Sequence, residues 1–562
     1  MRIFLTYHWK HLFVFFLLLW AGMNIFQAIF TEMMSDEAYY SMYGENPAWG
    51  YYDHPPAVGL MTFISGLFFG GNMSVRFATV VLQIFTVLTV WKLLGEKHPN
   101  AQKVTLFFII TASMVMFTAY GFITTPDVPF LFFTALFLLF YKKFLECDSW
   151  FNTLMLGLSM AGMTYSKYHA ALVIGLIVLS HLKLLTRCKV WIAAVFALLL
   201  LIPHILWQFA MDFPALKYHL SERSSSFKWG YFFEYIPNQL VVFNPPAFGA
   251  VIYILVKQKA GNVFERGLYF LIAGFLAFFW MMTFRGHVEP HWTVACTIPM
   301  IVLIYNRSLH NRKFMRFTTR WIAPCILLVM AARVLLITHL LPQHLDFYGK
   351  KERNDAIQTI AGQLPVAFTG SFQNPSDYHF FTKQEAFVLS SIHSRQTQFD
   401  IWQKEISHQG KPVFICSYID GKSAQYEVNG HVFWGYQAEN FQSVNRLNIE
   451  FSLSEKELHT GDSLDIHFKI YNPTASDIHF HHAEFPVSCK IAYTAHTIDL
   501  YDGKLNEDID ILKSGENLSG IFRTVVPPLP EGNYLLALTL DNTVCVSRNS
   551  DYTSVKILNP KE

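Results

Sequence analysis

Up to about residue 340 the chain alternates long apolar runs with short polar connections, and beyond that point the long runs cease. A membrane crossing needs roughly 20 apolar residues. On that rule about eleven helices are predicted, near 12–31, 74–94, 104–122, 128–145, 151–165, 168–186, 190–210, 239–257, 267–284, 292–305 and 319–340. The fifth and tenth are short, and Pro203, Pro245, Pro246 and Pro299 interrupt others. The apolar stretch 56–71 is too short for an easy crossing and reads as an interfacial helix.

After Leu341 the composition is that of soluble protein. Residues 345–445 read as mixed α/β, with a helix near 352–363 and strands near 365–369, 412–418 and 430–434. From 446 onward apolar and polar residues alternate in short segments, LNIEFSL, SLDIHFKIYN, SCKIAYTA, LSGIFRTVV and NYLLALTL. Turn residues such as Thr460-Gly461-Asp462 and Pro530-Glu531-Gly532 separate them, which is the pattern of a small immunoglobulin-like β-sandwich. The expected organisation is a polytopic α-helical membrane domain over 1–344, an α/β domain over 345–445 and a sandwich over 446–562.

Composition agrees with that reading: 52% of the 562 residues are hydrophobic, 16% aromatic and only 15% charged. A net charge of +2, with no basic tract and no glycine-rich phosphate loop, excludes a nucleic-acid partner. The seven cysteines include no CxxC pair, so no zinc or redox framework follows; Cys489 and Cys545 are either a disulfide or two separate buried thiols. The first apolar run has no small-residue cleavage site behind it and reads as a retained span.

Lys and Arg accumulate in cytoplasmic loops. Here they gather in alternate connections, among them Lys97 and Lys103, Lys142 and Lys143, Lys183 to Lys189, Lys257 to Arg266 and Arg307 to Arg320. The N-terminus is then cytoplasmic, and an odd number of spans places the region after 341 outside. The expected location is a bacterial inner membrane with the C-terminal domains in the periplasm.

The same alternation sends five polar connections to the outer side. The first, Ser35 to Pro56, holds Asp36-Glu37, Tyr39, Tyr40, Tyr52 and Asp53-His54. The others carry Asp127, Lys167 with Tyr168, Arg223 in the long 212–238 loop, and Arg285, His287, Glu289 and His291 in RGHVEPHW. Carboxylates near lipid are costly and mark sites more often than packing. The bland readings are a helix cap for Asp127, a snorkelling turn residue for Lys167 and solvated loop charges for the rest. HxExH alternates like an extended loop and lacks the helical HExxH spacing of a zinc site.

Acids, bases and aromatics gathered on one face suit sugar transfer from a donor already carried across on lipid, a polyprenyl-phosphate sugar. A carboxylate takes the acceptor hydroxyl proton, cations hold the leaving phosphate, and aromatic rings wall the sugar and the prenyl chain. Asp36, at the end of the first span, is the expected base, and one base fits inversion at the anomeric carbon. A transporter would place its ionisable groups at mid-membrane on broken helices, and a scaffold would need only one or two spans.

Asp36-Glu37 after the first span, YYDHPP at 51–56, TTPD at 124–127 and SKYHA at 166–170 resemble glycosyltransferase family 39. Its bacterial relatives include protein O-mannosyltransferases, the lipid A aminoarabinose transferase and Rgt-type galacturonosyltransferases. The resemblance covers roughly residues 1–340 and implies a GT-C membrane fold, a polyprenyl-phosphate donor and a catalytic aspartate that falls on Asp36. It also implies that Glu37 fixes the donor or orients Asp36, and that Asp127 is a second acid of the pocket. Asp53 matches a carboxylate near a metal in the aminoarabinose transferase; separately, carboxylate and imidazole in RGHVEPHW can converge on a metal, so Asp53, Glu289 and His291 are the candidate ligands of a divalent ion. That relative has a lysine where this chain has His54, so the phosphate contact passes to Lys167, Arg223 or Arg285. The acceptor is an envelope glycan, lipopolysaccharide, lipid A or a protein side chain.

Overall fold

The computed structural model describes residues 9–218, 227–338, 340, 348–495, 497–506 and 508–560. The chain divides into two compact units, Met1–Tyr348 and Gly349–Glu562.

Each of the apolar runs in the first unit is helical. The labelled helices are α1 (Trp9–Phe30), α2 (Ser35–Glu45), α3 (Ala57–Phe68), α4 (Met73–Leu94), α5 (Ala101–Ser113), α6 (Val115–Ala119) and α7 (Asp127–Glu146). They continue with α8 (Trp150–Ser166), α9 (Ala170–Ser180), α10 (Cys188–Ala210), α11 (Trp229–Phe243), α12 (Pro245–Lys257), α13 (Val263–Met282), α14 (Thr297–His310) and α15 (Cys325–Thr338). Polar caps open several of them. The side chains of Asn100, Ser149 and Asn262 accept from the backbone N–H groups of Lys103, Asn152 and Glu265.

Among the described residues seven helical stretches are long and apolar enough to cross a membrane, or eight if one bent pair counts as a single span. The expected count of eleven is not reached, because continuous apolar sequence conceals breaks in the backbone. The run at 104–122 is split at Met114, whose extended backbone separates α5 from α6. The run at 239–257 is split at Asn244, where α11 and α12 meet at 107°. The run at 168–186 holds only the short α9 followed by a 3₁₀ turn over Leu182–Thr186. Asn244 adopts φ 70° and ψ 144°, a positive-φ conformation uncommon for any residue but glycine. Its amide donates to the Ser113 carbonyl at 2.7 Å, at the break after α5, and its oxygen accepts from Ala247 at 2.8 Å. Backbone polar groups freed within apolar surroundings need partners of this kind.

The second unit has two parts. In the first, β1 (Val366–Thr369) lies between β2 (Ala386–Leu389) and β3 (Val413–Cys416) and is parallel to both. The antiparallel hairpin β4 (Ala424–Val428) and β5 (His431–Ala438) extends the sheet beyond β3. From Asn448 the chain forms a β-sandwich. One sheet pairs Ser488–Thr494 with Gly532–Asp541, and the other pairs Ser463–Tyr471 with Asn517–Val525. Strand Ser463–Tyr471 alternates buried and exposed residues throughout, as one face on a core requires. Cys489 and Cys545 are buried free thiols.

Glu405 is buried within the first of these parts. Its carboxylate accepts from Ser443 Oγ at 2.6 Å, from the Ser390 amide at 3.2 Å and from Asn445 Nδ2 at 3.4 Å. Burial outweighs those bonds and pushes its carboxyl from 4.5 up to about 7. The folded chain therefore holds a proton that the unfolded chain has released, and this stabilisation is lost as pH rises from 4.5 through about 7. The second unit is expected to unfold more easily at pH 8 than at pH 5, by up to about 3 kcal/mol. Glu405→Gln should remove that dependence in thermal unfolding of the full-length protein.

Candidate active site

The polar connection after α1 does not remain a loop. Ser35–Glu45 coils into α2, and the Glu37 carboxylate accepts from the Met34 amide at 3.3 Å. The helix turns Glu37 inward and leaves Asp36 exposed. Glu37 and Arg76 of α4 are both fully buried and form an ion pair in which Nε donates to Oε1 at 2.8 Å and Nη2 to Oε2. The remaining guanidinium donors are spent on the carbonyls of Ala28 at 3.1 Å, Thr31 at 2.7 Å and Glu32 at 3.0 Å. Glu37 also accepts from the Thr124 amide at 2.8 Å. Glu37 thus pins α2 to α4 and to the TTPD turn, so its direct partners are protein groups.

The tyrosines of α2 carry the site across to the YYDHPP turn. Tyr43 donates to Asp53 Oδ1 at 2.8 Å, and its ring stacks on Tyr51 at 3.9 Å between centroids. Tyr40 Oη lies 3.2 Å from His54 Nε2. Tyr39 packs edge-on against Tyr43 at 4.8 Å, and Tyr52 lies 5.7 Å from the Tyr218 ring. Burial first, and then the charges of Asp36, Asp53 and Asp127, raise the Tyr40 phenol well above its ordinary value. The Tyr120 phenol is likewise raised by burial and then by Asp127 and, more weakly, Asp36. Three carboxylates from two connections therefore share one electrostatic neighbourhood around Tyr40.

Lys167 supplies the cation. It closes α8, and its ammonium donates to Asp127 Oδ1 at 2.7 Å, with both side chains nearly buried. Tyr120 donates to Asp127 Oδ2 at 3.4 Å, and His291 Nε2 lies 3.8 Å from the same oxygen. The RGHVEPHW connection thus reaches the cluster through His291. His287 and Glu289 lie 3.7 Å from each other and are partly exposed, and Arg285 is exposed. Tyr168 Oη lies 3.2 Å from His204 Nε2 and accepts from Gln208 at 2.9 Å, while His204 Nδ1 lies 2.6 Å from the Trp49 carbonyl oxygen. Arg223 lies outside the described residues.

Among the described residues no three His, Cys, Asp or Glu side chains are grouped to hold a metal ion. The expected set Asp53, Glu289 and His291 is not assembled. Asp53 is held by Tyr43, Glu289 faces His287, and His291 faces Asp127.

Arg76, Tyr43, Tyr120 and His204 take part in the site without having been singled out in the sequence. An arginine early in an otherwise apolar span was the available signal for Arg76. The others are aromatic residues among many, and nothing in their spacing separates them.

Residues 53–207 match the family model described as dolichyl-phosphate-mannose-protein mannosyltransferase. No curated protein sequence matches the chain. ArnT from Cupriavidus metallidurans, solved in the apo state and bound to undecaprenyl phosphate, superposes in both forms with a TM-score of 0.56. Identity is 12%, over 76% of this chain and 97% of that one. Arabinosyltransferase EmbB from Mycobacterium smegmatis aligns over 96% of this chain and 63% of its own at 11% identity, with a TM-score of 0.41. The chain is a multi-pass membrane protein with the GT-C fold.

Proposed function

With a GT-C fold and a glycosyltransferase family match as premise, we propose that this chain is a membrane glycosyltransferase drawing on a polyprenyl-phosphate sugar. It moves that sugar to an acceptor hydroxyl on the periplasmic face of a bacterial inner membrane. The observation that carries the reading is that Glu37 ties the Asp36 helix to the TTPD turn, while Asp53 accepts from Tyr43 of the same helix and Asp127 of that turn accepts from Lys167. A structural solvated loop has no need to gather three acids there.

In this reading Asp36, the exposed member, takes the proton of the acceptor hydroxyl. The oxygen attacks the anomeric carbon from the face opposite the phosphate, and the C–O bond to phosphate breaks with its electron pair leaving on the polyprenyl phosphate. One base and one displacement give inversion. Lys167, beside Asp127, and the imidazoles of His54 and His291 are the nearby groups able to meet the phosphate charge. Tyr39, Tyr40, Tyr52 and Tyr168 wall the sugar. The placement of Lys and Arg in alternate connections supports the outward orientation.

The preferred acceptor is an envelope glycan or lipid. A protein acceptor is the second reading, favoured by the matching family model, whose description names protein mannosylation. Mass spectrometry of lipids, glycans and glycoproteins from cells with and without the gene separates them. The proposal expects one sugar residue to disappear from a lipid or glycan; loss from protein alone selects the second reading, and no change in any class contradicts both.

A further inference from the structure

In the second unit β1 runs on to β2 on one side, while β3 runs on to the β4–β5 hairpin on the other, so two connections diverge from neighbouring carboxyl ends. Ligands of open α/β sheets bind at such a switch point. Hydroxyls meet there: Thr369 Oγ1, at the end of β1, and Ser417 Oγ, just past β3, lie 2.7 Å apart. Ser423 Oγ donates to the Ser417 carbonyl at 2.7 Å and accepts from the Ile419 amide at 2.9 Å, which fixes the turn after β3.

That turn carries Tyr418, whose ring meets Trp434 of β5 edge to face, 5.0 Å between centroids and at 87°. Both rings reach solvent, Tyr418 being 59% and Trp434 37% exposed. Alternation along β5 packs Phe433 against Phe368, Phe414 and Tyr378 and leaves Trp434 on the opposite face of the sheet. On β4, Gln425 stands opposite Trp434 and Glu427 opposite Val432, so both share that face. Asp420, Gln425 and Glu427 are exposed, and among the described residues neither carboxylate forms an ion pair. Lys422 of the same turn is spent on the Glu484 carbonyl and on Thr543 Oγ1.

An exposed aromatic corner marks a binding surface, and its border selects the occupant. Trp and Tyr also anchor proteins to membrane surfaces, where basic residues meet the anionic headgroups. Here the border is Asp420, Glu427 and Gln425, which disfavours anions and offers hydrogen-bond acceptors. An uncharged sugar ring has the matching chemistry: an apolar C–H face to lie on the indole, and hydroxyl donors for the carboxylate and amide oxygens. We propose that Tyr418, Trp434, Asp420, Gln425 and Glu427 form a carbohydrate site that holds uncharged sugar residues of the acceptor. The acceptor role rests on the transfer reaction proposed above, and it makes the acceptor a glycan or a glycan-bearing lipid.

The test is native mass spectrometry of the purified full-length protein in detergent, titrated with oligosaccharides released by mild acid from the envelope of its own cells, or with phosphatidylglycerol. The parent should hold an uncharged oligosaccharide. Trp434→Ala and Tyr418→Ala, both changes at the surface, should each weaken that binding roughly tenfold and raise acceptor KM by a similar factor. Failure of every oligosaccharide to bind the parent, parent affinity in both variants, or loss in the variants of phosphatidylglycerol binding alone overturns the proposal. Sugar transfer is read separately. Transfer with parent acceptor KM in both variants removes the site and leaves the reaction, whereas oligosaccharide binding without any transfer removes the reaction and leaves the site.

Discussion

Glu37→Gln is expected to destabilise the membrane unit by about 3–5 kcal/mol, because it strands a buried charge. Arg76 keeps its three backbone carbonyl acceptors but loses the one anion that compensates it, in surroundings where neither side chain is exposed. Glu37 serves more than the one pair. Glu37 Oε1 also accepts from the Thr124 amide, three residues before Asp127, a bond that a glutamine oxygen can keep and that Glu37→Ala would remove, releasing the TTPD turn and with it the second acid. Arg76→Met should be as damaging, whereas the double variant Glu37→Gln/Arg76→Met should recover part of the stability, since an isolated charge is then no longer buried. Thermal unfolding in detergent of the three variants checks this; single variants as stable as the parent would show that the pair carries little.

Asp36→Asn is expected to behave in the opposite way. Asp36 is exposed, and an isosteric change on an exposed side chain should leave stability within about 0.5 kcal/mol. An asparagine cannot accept the acceptor proton, so kcat for sugar transfer should fall by about 10²–10⁴ with donor KM little changed. A variant that folds, binds donor and turns over at the parent rate removes Asp36 from the mechanism. The two adjacent acids thus separate into a chemical role and an architectural one, distinguishable by which of stability and kcat responds.

That separation was not legible in the dipeptide itself. Asp36 and Glu37 are chemically alike in sequence, and what divides them is the 100° turn per residue of α2, which sends one outward and the other towards Arg76, 39 positions away. The helical segments were legible, because apolar runs of sufficient length have few alternatives. The breaks at Met114 and Asn244 were not: an apolar run looks the same whether its backbone continues or kinks, and the amide of Asn244 that reaches the Ser113 carbonyl is one polar residue among many. Asp127 and Lys167 were each visible as a polar residue at a helix boundary. Their 2.7 Å contact is a tertiary fact that brings α7 and the end of α8 together. Arg76 and Arg333 show the converse, since cations within apolar spans stand out in the sequence while their different surroundings, one paired and one not, appear only in the fold.

The central claim is that the sugar comes from a polyprenyl-phosphate carrier. Its most direct test is to reconstitute the purified chain in vesicles with radiolabelled donors and an envelope extract as acceptor, and to follow both the label and the free carrier. The account predicts that label moves only from polyprenyl-phosphate sugars, with one polyprenyl phosphate released per sugar transferred. Transfer from a nucleotide sugar in vesicles stripped of polyprenyl phosphate would contradict it.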